Sequence, residues 1–180
     1  MRDDTQPKHP MYVVSKGRSK YMQTSRALTT MGIRHFIVVE PQEVDAYRSA
    51  VACLGLTADV IELDLGCKAT YELCDDLGNT RGTGPGPARN FAWQHSINSG
   101  ARSHWVMDDN ISAFYRLHEN RKIKCVNPAL FRAMEDFAAN PQHTRVDSDF
   151  SESSRPATFW LSRVNKHSER IRRMRHLCQV

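Results

Sequence analysis

Short apolar runs alternate with helical patterns along the first part of the chain. The runs Met11–Val14, Phe36–Val39 and Asp59–Leu63 are rich in β-branched residues and predict three strands. Between them, Tyr21–Met31 and Glu43–Leu54 carry apolar residues at helical spacing, and a glycine follows each. Strands that alternate with helices predict an α/β fold with a mostly parallel sheet and right-handed crossovers.

The alternation continues further along the chain. A glycine- and proline-rich loop, GTGPGP, leads into a helix that begins at Pro87 and ends before Gly100. The apolar run His104–Met107 predicts a buried strand. Lys122–Val126 predicts a further strand, which is paired near the polar residues that follow Met107. Pro128–Ala139 predicts a further helix. The helices are expected to flank the sheet.

Both ends of the chain lack a clear apolar pattern. Residues 1–10 are polar, contain two prolines and predict a disordered lead-in. Residues 141–180 predict an irregular basic tail, with a candidate amphipathic helix at Leu161–Cys178 and no further strand. The domain is therefore placed at residues 11–140.

Composition narrows the class of protein. The chain has 180 residues, which suits one domain. No apolar run approaches the ~20 residues needed to cross a bilayer, and the start has no apolar signal sequence, so a cytoplasmic location without membrane contact is expected. The five cysteines form no C-x-x-C pair, which argues against a disulfide framework and a zinc ribbon.

The positive charge lies in the tail. Of a net charge of +5, residues 141–180 contribute eight Lys/Arg against four Asp/Glu. Such a segment can bind phosphate backbones, although basic runs are often solvated helix faces. A nucleic-acid-binding protein that acts through this tail is therefore one candidate function.

The strand His104–Met107 stops abruptly at Asp108, Asp109 and Asn110. Polar residues at the carboxyl end of such a strand lie where open α/β sheets bind ligands. Their hard oxygen atoms suit Mg²⁺ or Mn²⁺ that carries nucleotide phosphates. The same three residues also suit an ordinary turn or helix cap.

Three other segments suggest phosphate or nucleotide contacts. Ser15–Arg18 follows the first strand and precedes a helix, although the spacing is not that of a Walker loop. Glu40 follows the second strand, where a carboxylate can bind ribose or base. Arg89 and Asn90 lie in the first turn of a helix, where a cation opposes the helix dipole and hints at a bound anion. An ordinary turn, a solvent-exposed glutamate and an Arg89 salt bridge are the alternatives.

Taken together, the Ser15–Arg18 segment, Glu40, GPGPARN and HWVMDDN resemble a GT-A fold glycosyltransferase, a Rossmann-like architecture. The nearest likeness is to the TET/JBP-associated glycosyltransferase group, whose members are often phage-encoded and are thought to glycosylate hydroxymethylated pyrimidines in DNA. The resemblance covers roughly Met11–Ala139.

The resemblance implies a role for each matching residue. Asp108, Asp109 and Asn110 resemble the acidic DxD-type motif that holds Mn²⁺ or Mg²⁺ against a sugar-nucleotide diphosphate. Related motifs often have Asp at the third position, and Asn110 is a weaker ligand. The donor-binding residues implied by the resemblance are Ser15, Lys16, Arg18, Glu40, Arg89, Asn90 and Asp108.

The implied reaction is metal-dependent transfer of a hexosyl group from a nucleotide sugar, with a UDP-sugar favoured, to a hydroxyl acceptor. Hydroxymethylated pyrimidine in DNA is the candidate acceptor. No catalytic base is identified, and nothing distinguishes the four available side chains, which are His143, Asp147, Asp149 and Glu152. Such enzymes usually continue past this length, so a truncated C-terminus is expected. A non-catalytic nucleotide-sugar-binding half-domain is then an alternative function.

Overall fold

A computed structural model of the protein describes residues 4–66 and 84–139, together with the backbone of residues 160–163. Within these residues the strands are β1 (Met11–Val14), β2 (His35–Val39), β3 (Ala58–Glu62), β4 (Ser103–Asp108), β5 (Phe114–His118), β6 (Arg121–Cys125) and β7 (Trp160–Arg163). The α-helices in the same part of the chain are α1 (Gln23–Thr30), α2 (Val44–Leu54), α3 (Gly86–Asn98) and α4 (Ala129–Ala139), and a 3-10 turn at Pro41–Glu43 leads into α2. Among these helices, none is both long enough and apolar enough to cross a membrane.

One sheet organises the fold. Its strand order is β3-β2-β1-β4-β7; β1 to β4 are parallel to one another, whereas β7 runs antiparallel to β4. The chain moves outward from β1 to β3 and then returns to the other side of β1 with β4. The β1–β4 boundary is thus the point where the strand order reverses, and ligands of doubly wound sheets bind there. The predicted α/β class and Rossmann-like parallel sheet are confirmed.

Helices cover both faces of the sheet. All four β1 residues are buried, because consecutive side chains point to opposite faces. Met11 and Val13 pack with residues of α1 and α4, and Tyr12 and Val14 pack with residues of α3. Helix α2 packs on the same face as α1, against Ile37 and its neighbours. Burial on both faces explains why these strands read as continuous apolar runs.

A second, two-stranded sheet consists of β5 and β6. The predicted strand Lys122–Val126 is present one residue earlier, as β6. Its partner β5 was not predicted, because residues 111–121 show no alternation of apolar and polar side chains. The reason is that nearly every residue of this hairpin is exposed, so no buried face imposes a period.

The tail prediction needs a correction. Residues 161–163, predicted to begin an amphipathic helix, lie in β7 and pair with β4, so the expectation of no further strand is wrong. Pairing gives partners to the outer backbone groups of β4, which a helix at this point would leave unpaired. The sheet therefore continues past residue 140, where the sequence placed the domain boundary. The remainder of the predicted helix lies outside the described residues.

The lead-in also differs from the prediction at its end. The backbone N–H groups of Lys8 and His9 donate to the Glu135 carboxylate at 2.7 and 3.1 Å, and Pro10 accepts from the Trp105 backbone at 2.9 Å. Glu135 is buried and also accepts from the Trp105 indole at 2.8 Å. Glu135 on α4 therefore holds residues 8 and 9, and the backbone of β4 holds Pro10, so these three residues are not disordered.

Glu135→Ala should destabilise the fold strongly. The substitution leaves three N–H donors without their charged acceptor, and a loss of about 3 kcal/mol in the free energy of unfolding is expected. Urea denaturation measures it. Asp136→Ala is the matched control, because Asp136 is the adjacent but exposed carboxylate, and its removal should change stability little. Equal losses in the two variants would contradict the role assigned to Glu135.

His104 should make stability pH-dependent. Burial, with a smaller contribution from His9, lowers its pKa from 6.5 to about 4. Between these two values the unfolded chain binds a proton that the folded chain does not, so the free energy of unfolding falls as the pH falls through the window. The full effect is about 3 kcal/mol. Urea denaturation of wild type and His104→Gln across this window should give curves that converge toward acid; a constant difference would refute the assignment.

Candidate active site

A cleft of about 340 Å³ lies at the carboxyl ends of the parallel strands. It spans the β1–β4 boundary and is closed on one side by the start of α3. Its walls are formed by Val14, Ser15, Lys16, Arg18, Val38, Val39, Glu40, Leu63, Gly84, Pro85, Pro87, Ala88, Arg89, Asp108, Asp109 and Asn110. Apolar members of the wall come from the ends of β1 and β2, from Leu63 and from the start of α3, and the charged members come from the loops after β1 and β2, from the first turn of α3 and from the end of β4.

The cleft brings together every sequence-predicted site residue except one. Asn90 is exposed and does not line it. Consecutive residues of an α-helix point about 100° apart, so Arg89 can face the cleft while Asn90 faces away. Sequence proximity to Arg89 was therefore a poor guide to the position of the Asn90 side chain.

The two aspartates of the acidic cluster have different environments. Asp109 is only 9% exposed, and both of its oxygens are engaged: Oδ1 accepts from Arg18 Nη1 at 2.7 Å and Oδ2 from Ser15 Oγ at 2.6 Å. Asp108 is 52% exposed, and its Oδ1 accepts from Arg89 Nη2 at 2.7 Å. Asp109 is thus fixed in the structure, whereas Asp108 faces the open cleft. The Arg89 salt bridge considered from the sequence is present.

A closed ring of hydrogen bonds holds the loop after β1. Ser15 uses its only hydroxyl proton on Asp109, so the 2.6 Å contact between Ser15 and Tyr47 requires Tyr47 to donate. Tyr47 in turn accepts from the Arg18 backbone N–H at 3.0 Å. Burial raises the pKa of Tyr47, which keeps its proton in place. Because Arg18 also binds Asp109, the ring begins and ends on the same residue.

Thr24 fixes the backbone of the acidic cluster. Its Oγ1 donates to the Asp108 carbonyl at 2.5 Å and accepts from the Ile111 N–H at 2.9 Å. Thr24 lies in the first turn of α1, two residues after the N-cap Met22, whose left-handed backbone (φ 42°) is uncommon for a large side chain. Met22 is buried among residues of the α2 side, which holds that conformation.

Sequence reasoning missed both Tyr47 and Thr24. Tyr47 is one of the residues at helical spacing in Glu43–Leu54, and its ring packs on the apolar face of α2. Nothing in that spacing shows that its hydroxyl reaches the β1 loop. No role was predicted for Thr24, because a threonine in the first turn of a helix commonly makes only local hydrogen bonds. A buried tyrosine needs a partner for its hydroxyl, and this was the one available signal.

A third ion pair completes the charges at the strand ends. Lys16 Nζ donates to Glu40 Oε1 at 2.9 Å, and Gln42 Nε2 donates to the other Glu40 oxygen at 2.5 Å. The Gly17 N–H donates to Glu43 at 2.7 Å, with Gly17 in the left-handed region (φ 69°) that suits glycine. In the cleft, the three cations of the predicted set are thus each paired with a carboxylate.

The donors fit a divalent cation only in part. Where residues are described, no group of three or more His, Cys, Asp or Glu side chains could enclose a metal ion. Mg²⁺ usually takes one or two protein carboxylates and completes its shell with water and substrate phosphates. Asp108 and Asn110, both exposed in the cleft, fit that kind of site. The candidate bases His143, Asp147, Asp149 and Glu152 lie outside the described residues.

Comparison with known families gives one match. The protein-family model described as TET-Associated Glycosyltransferase matches residues 9–163, which include every strand of both sheets. Neither the curated proteins nor the solved structures contain a match.

A double-mutant cycle tests the hydrogen-bond ring. Tyr47→Phe and Ser15→Ala should each lower the free energy of unfolding by about 1–2 kcal/mol, and the double variant should lose clearly less than the sum, because both remove the same network.

Tyr12→Phe is the matched control for this cycle. It also removes a buried hydroxyl, which contacts His95 Nδ1 at 2.8 Å on the opposite face of the sheet. Combined with Tyr47→Phe, its loss should be additive within about 0.5 kcal/mol. Additive losses for Tyr47 and Ser15 would show that the ring does not act as a unit.

Proposed function

Because the chain belongs to the TET-associated glycosyltransferase family and is therefore a glycosyltransferase, we propose that its donor is a nucleotide sugar bound in the cleft at the β1–β4 boundary. The observation that carries this proposal is the pairing of Arg89 with Asp108 at 2.7 Å across that cleft. One group of each sign is available there for a diphosphate and its counter-ion.

Arg89 is the proposed diphosphate-binding residue. It lies in the first turn of α3, where unpaired backbone N–H groups and the helix dipole already favour an anion. No acidic residue occupies that turn. A phosphate placed there would interact with the guanidinium and the helix end together.

The nucleoside is proposed to lie along the ends of β1 and β2. Val14, Val38 and Leu63 provide an apolar surface. Ser15, Lys16 and Arg18 come from the loop beneath. Glu40, whose two oxygens accept from Lys16 and Gln42, is proposed to accept a further hydrogen bond from ribose or base through a remaining lone pair, as a carboxylate at this strand position does in other doubly wound folds. A UDP-sugar is the proposed donor.

The proposed metal ligands are Asp108 and Asn110, with Mn²⁺ or Mg²⁺ as the ion. A bound divalent ion would neutralise the negative charge that grows on the leaving diphosphate. Asp109 was expected to be a direct ligand, but Arg18 and Ser15 occupy both of its oxygens. We propose instead that Asp109 is a positioning residue, which holds the loop after β1 against the end of β4.

In the proposed reaction, the bond between the anomeric carbon and the diphosphate oxygen breaks. A bond forms between that carbon and an acceptor hydroxyl oxygen. The hydroxyl proton passes to a base, and the nucleoside diphosphate leaves. The proposed acceptor is a hydroxymethylated pyrimidine in DNA, on the strength of the sequence resemblance. Arg89 would stabilise the departing diphosphate.

The Arg89–Asp108 pair makes donor and metal binding interdependent. A diphosphate that takes Arg89 leaves Asp108 without its cation, and a metal ion that takes Asp108 leaves Arg89 without its anion. An unpaired charge in a partly enclosed site is costly. Each ligand is therefore expected to bind more tightly when the other is present, by linkage.

Asp108→Asn should lower hexosyl transfer by on the order of 100-fold, because the carboxylate that would hold the metal is lost. The assay combines the full chain, Mn²⁺, a panel of UDP-sugars and duplex DNA with hydroxymethylated pyrimidines, and mass spectrometry detects the added hexosyl group. Asp45→Asn is the control, since Asp45 is an exposed carboxylate outside the cleft. Calorimetry with UDP should show a gain in affinity on adding Mn²⁺ that Asp108→Asn abolishes.

The outcomes separate the candidate functions. Metal-dependent donor binding without transfer to any acceptor would favour a nucleotide-sugar-binding half-domain. Transfer that proceeds equally with and without Mn²⁺, and equally in Asp108→Asn, would exclude the proposed metal site.

A further inference from the structure

The β5–β6 hairpin, residues 114–125, is the next pair of strands after β4. It follows the acidic cluster closely in sequence, and its base is fixed by the buried Phe114, whose ring packs edge-on against Phe131 at 5.0 Å. From residue 115 to residue 124 every side chain is exposed. The hairpin therefore presents both of its faces to the surroundings.

Basic residues lie on both faces of this hairpin. The strand register places Tyr115 beside Lys124 and Leu117 beside Lys122 on one face. Arg116 and Arg121 lie on the other face, and Glu119 is the one carboxylate of the hairpin. No carboxylate elsewhere in the described ranges pairs with any of the four cations. The charge of the hairpin is thus available to a partner.

No other strand or helix of the described residues packs over the exposed part of the hairpin, residues 115–124. Leu117 is 70% exposed and Tyr115 is 52% exposed. A two-stranded ribbon with both faces in water is marginally stable by itself. Its tip is a tight turn in which Glu119 and Asn120 both have positive φ (47° and 58°), the conformation of a two-residue hairpin loop. The tip is therefore narrow.

We propose that the β5–β6 hairpin is a DNA-binding arm that enters a groove of the acceptor duplex. This inference rests on the proposed DNA acceptor and names the surface that recognises it. The major groove of DNA accommodates a two-stranded β-ribbon. Each groove has a phosphate backbone along both walls, and cations on both faces of a ribbon match that arrangement. A lipid surface would instead favour cations and apolar residues segregated to opposite faces.

The arm lies next in sequence to the residues proposed to hold the donor. Asp108 and Asn110 come at the end of β4, and Phe114 begins the arm. Ile111, between them, packs in the same core as Phe114. A duplex held along the arm would therefore be tied to the edge of the sheet where transfer occurs.

The test neutralises the arm in the full chain. One variant changes four arm cations to glutamine: Arg116→Gln, Arg121→Gln, Lys122→Gln and Lys124→Gln. The control variant removes the same charge from exposed positions outside the cleft and the arm: Arg26→Gln, Arg34→Gln, Arg48→Gln and Arg102→Gln. Fluorescence anisotropy measures binding of a short labelled duplex over a series of salt concentrations, and circular dichroism checks that both variants fold.

The arm variant should bind DNA on the order of 100-fold more weakly than wild type. Its slope of log affinity against log salt should be shallower by about 3.6, because four phosphate contacts are lost. The control should stay within about 2-fold of wild type. An arm variant that binds like the control would overturn the proposal and would leave the basic tail as the DNA-binding segment.

Two further measurements separate this proposal from the proposed function. UDP binding with Mn²⁺ should be unchanged in the arm variant, as should transfer to a free hydroxymethylated nucleoside, while transfer to duplex DNA falls. DNA binding that depends on the arm, without any hexosyl transfer, would support the DNA-binding role of the arm and refute the proposed reaction. Sedimentation of the protein without DNA tests the alternative that a second copy of this chain binds the arm. If wild type is a dimer that does not bind DNA, and the arm variant is a monomer, the DNA role is refuted.

Discussion

The bonds from Asp109 to Ser15 and Arg18 connect the ends of β1 and β4, and the rest of the site depends on this connection. The two strands are neighbours in the sheet but far apart in sequence. The loops that follow them are therefore held together by these hydrogen bonds and not by the continuity of the chain. Asp109 accepts both bonds while nearly buried. Tyr47 closes the ring from α2. Because buried charge-assisted bonds favour one arrangement strongly over alternatives, the loop is preorganised before any ligand arrives.

The same geometry explains why adjacent aspartates do different work. Consecutive residues at a strand end point in opposite directions, so one carboxylate turns inward and the other toward the cleft. Asp108 remains half-exposed and shares its charge with Arg89. Each cation of the cleft is neutralised by a local carboxylate, which allows several charges to be concentrated without mutual repulsion. A ligand with both signs, such as a diphosphate with its counter-ion, can exchange with such pairs at little electrostatic cost.

Regular features of the fold were predictable from sequence, and features that depend on remote contacts were not. The apolar runs of β1, β2 and β4 located the parallel sheet, since buried strands impose a continuous pattern. The order of the loops then identified Ser15, Arg89 and Asp108, because the carboxyl ends of parallel strands share one edge. Strand β5 escaped detection, since an exposed ribbon imposes no period, and β7 did so because its pairing partner is distant in the chain. Asn90 points away from the cleft because it lies about 100° around the helix from Arg89, and the identity of the two residues does not show which of them faces the cleft.

Strand β7 has a consequence for how the protein should be handled. It pairs antiparallel with the outer side of β4, the strand that ends at Asp108. A shortened chain cut near residue 140, at the apparent sequence boundary, would lose this cover. The freed main-chain groups of β4 would then form an open template for strand addition from another molecule. Self-association of such a fragment would be a result of exposed sheet edge, and would carry no information about the quaternary state of the longer chain.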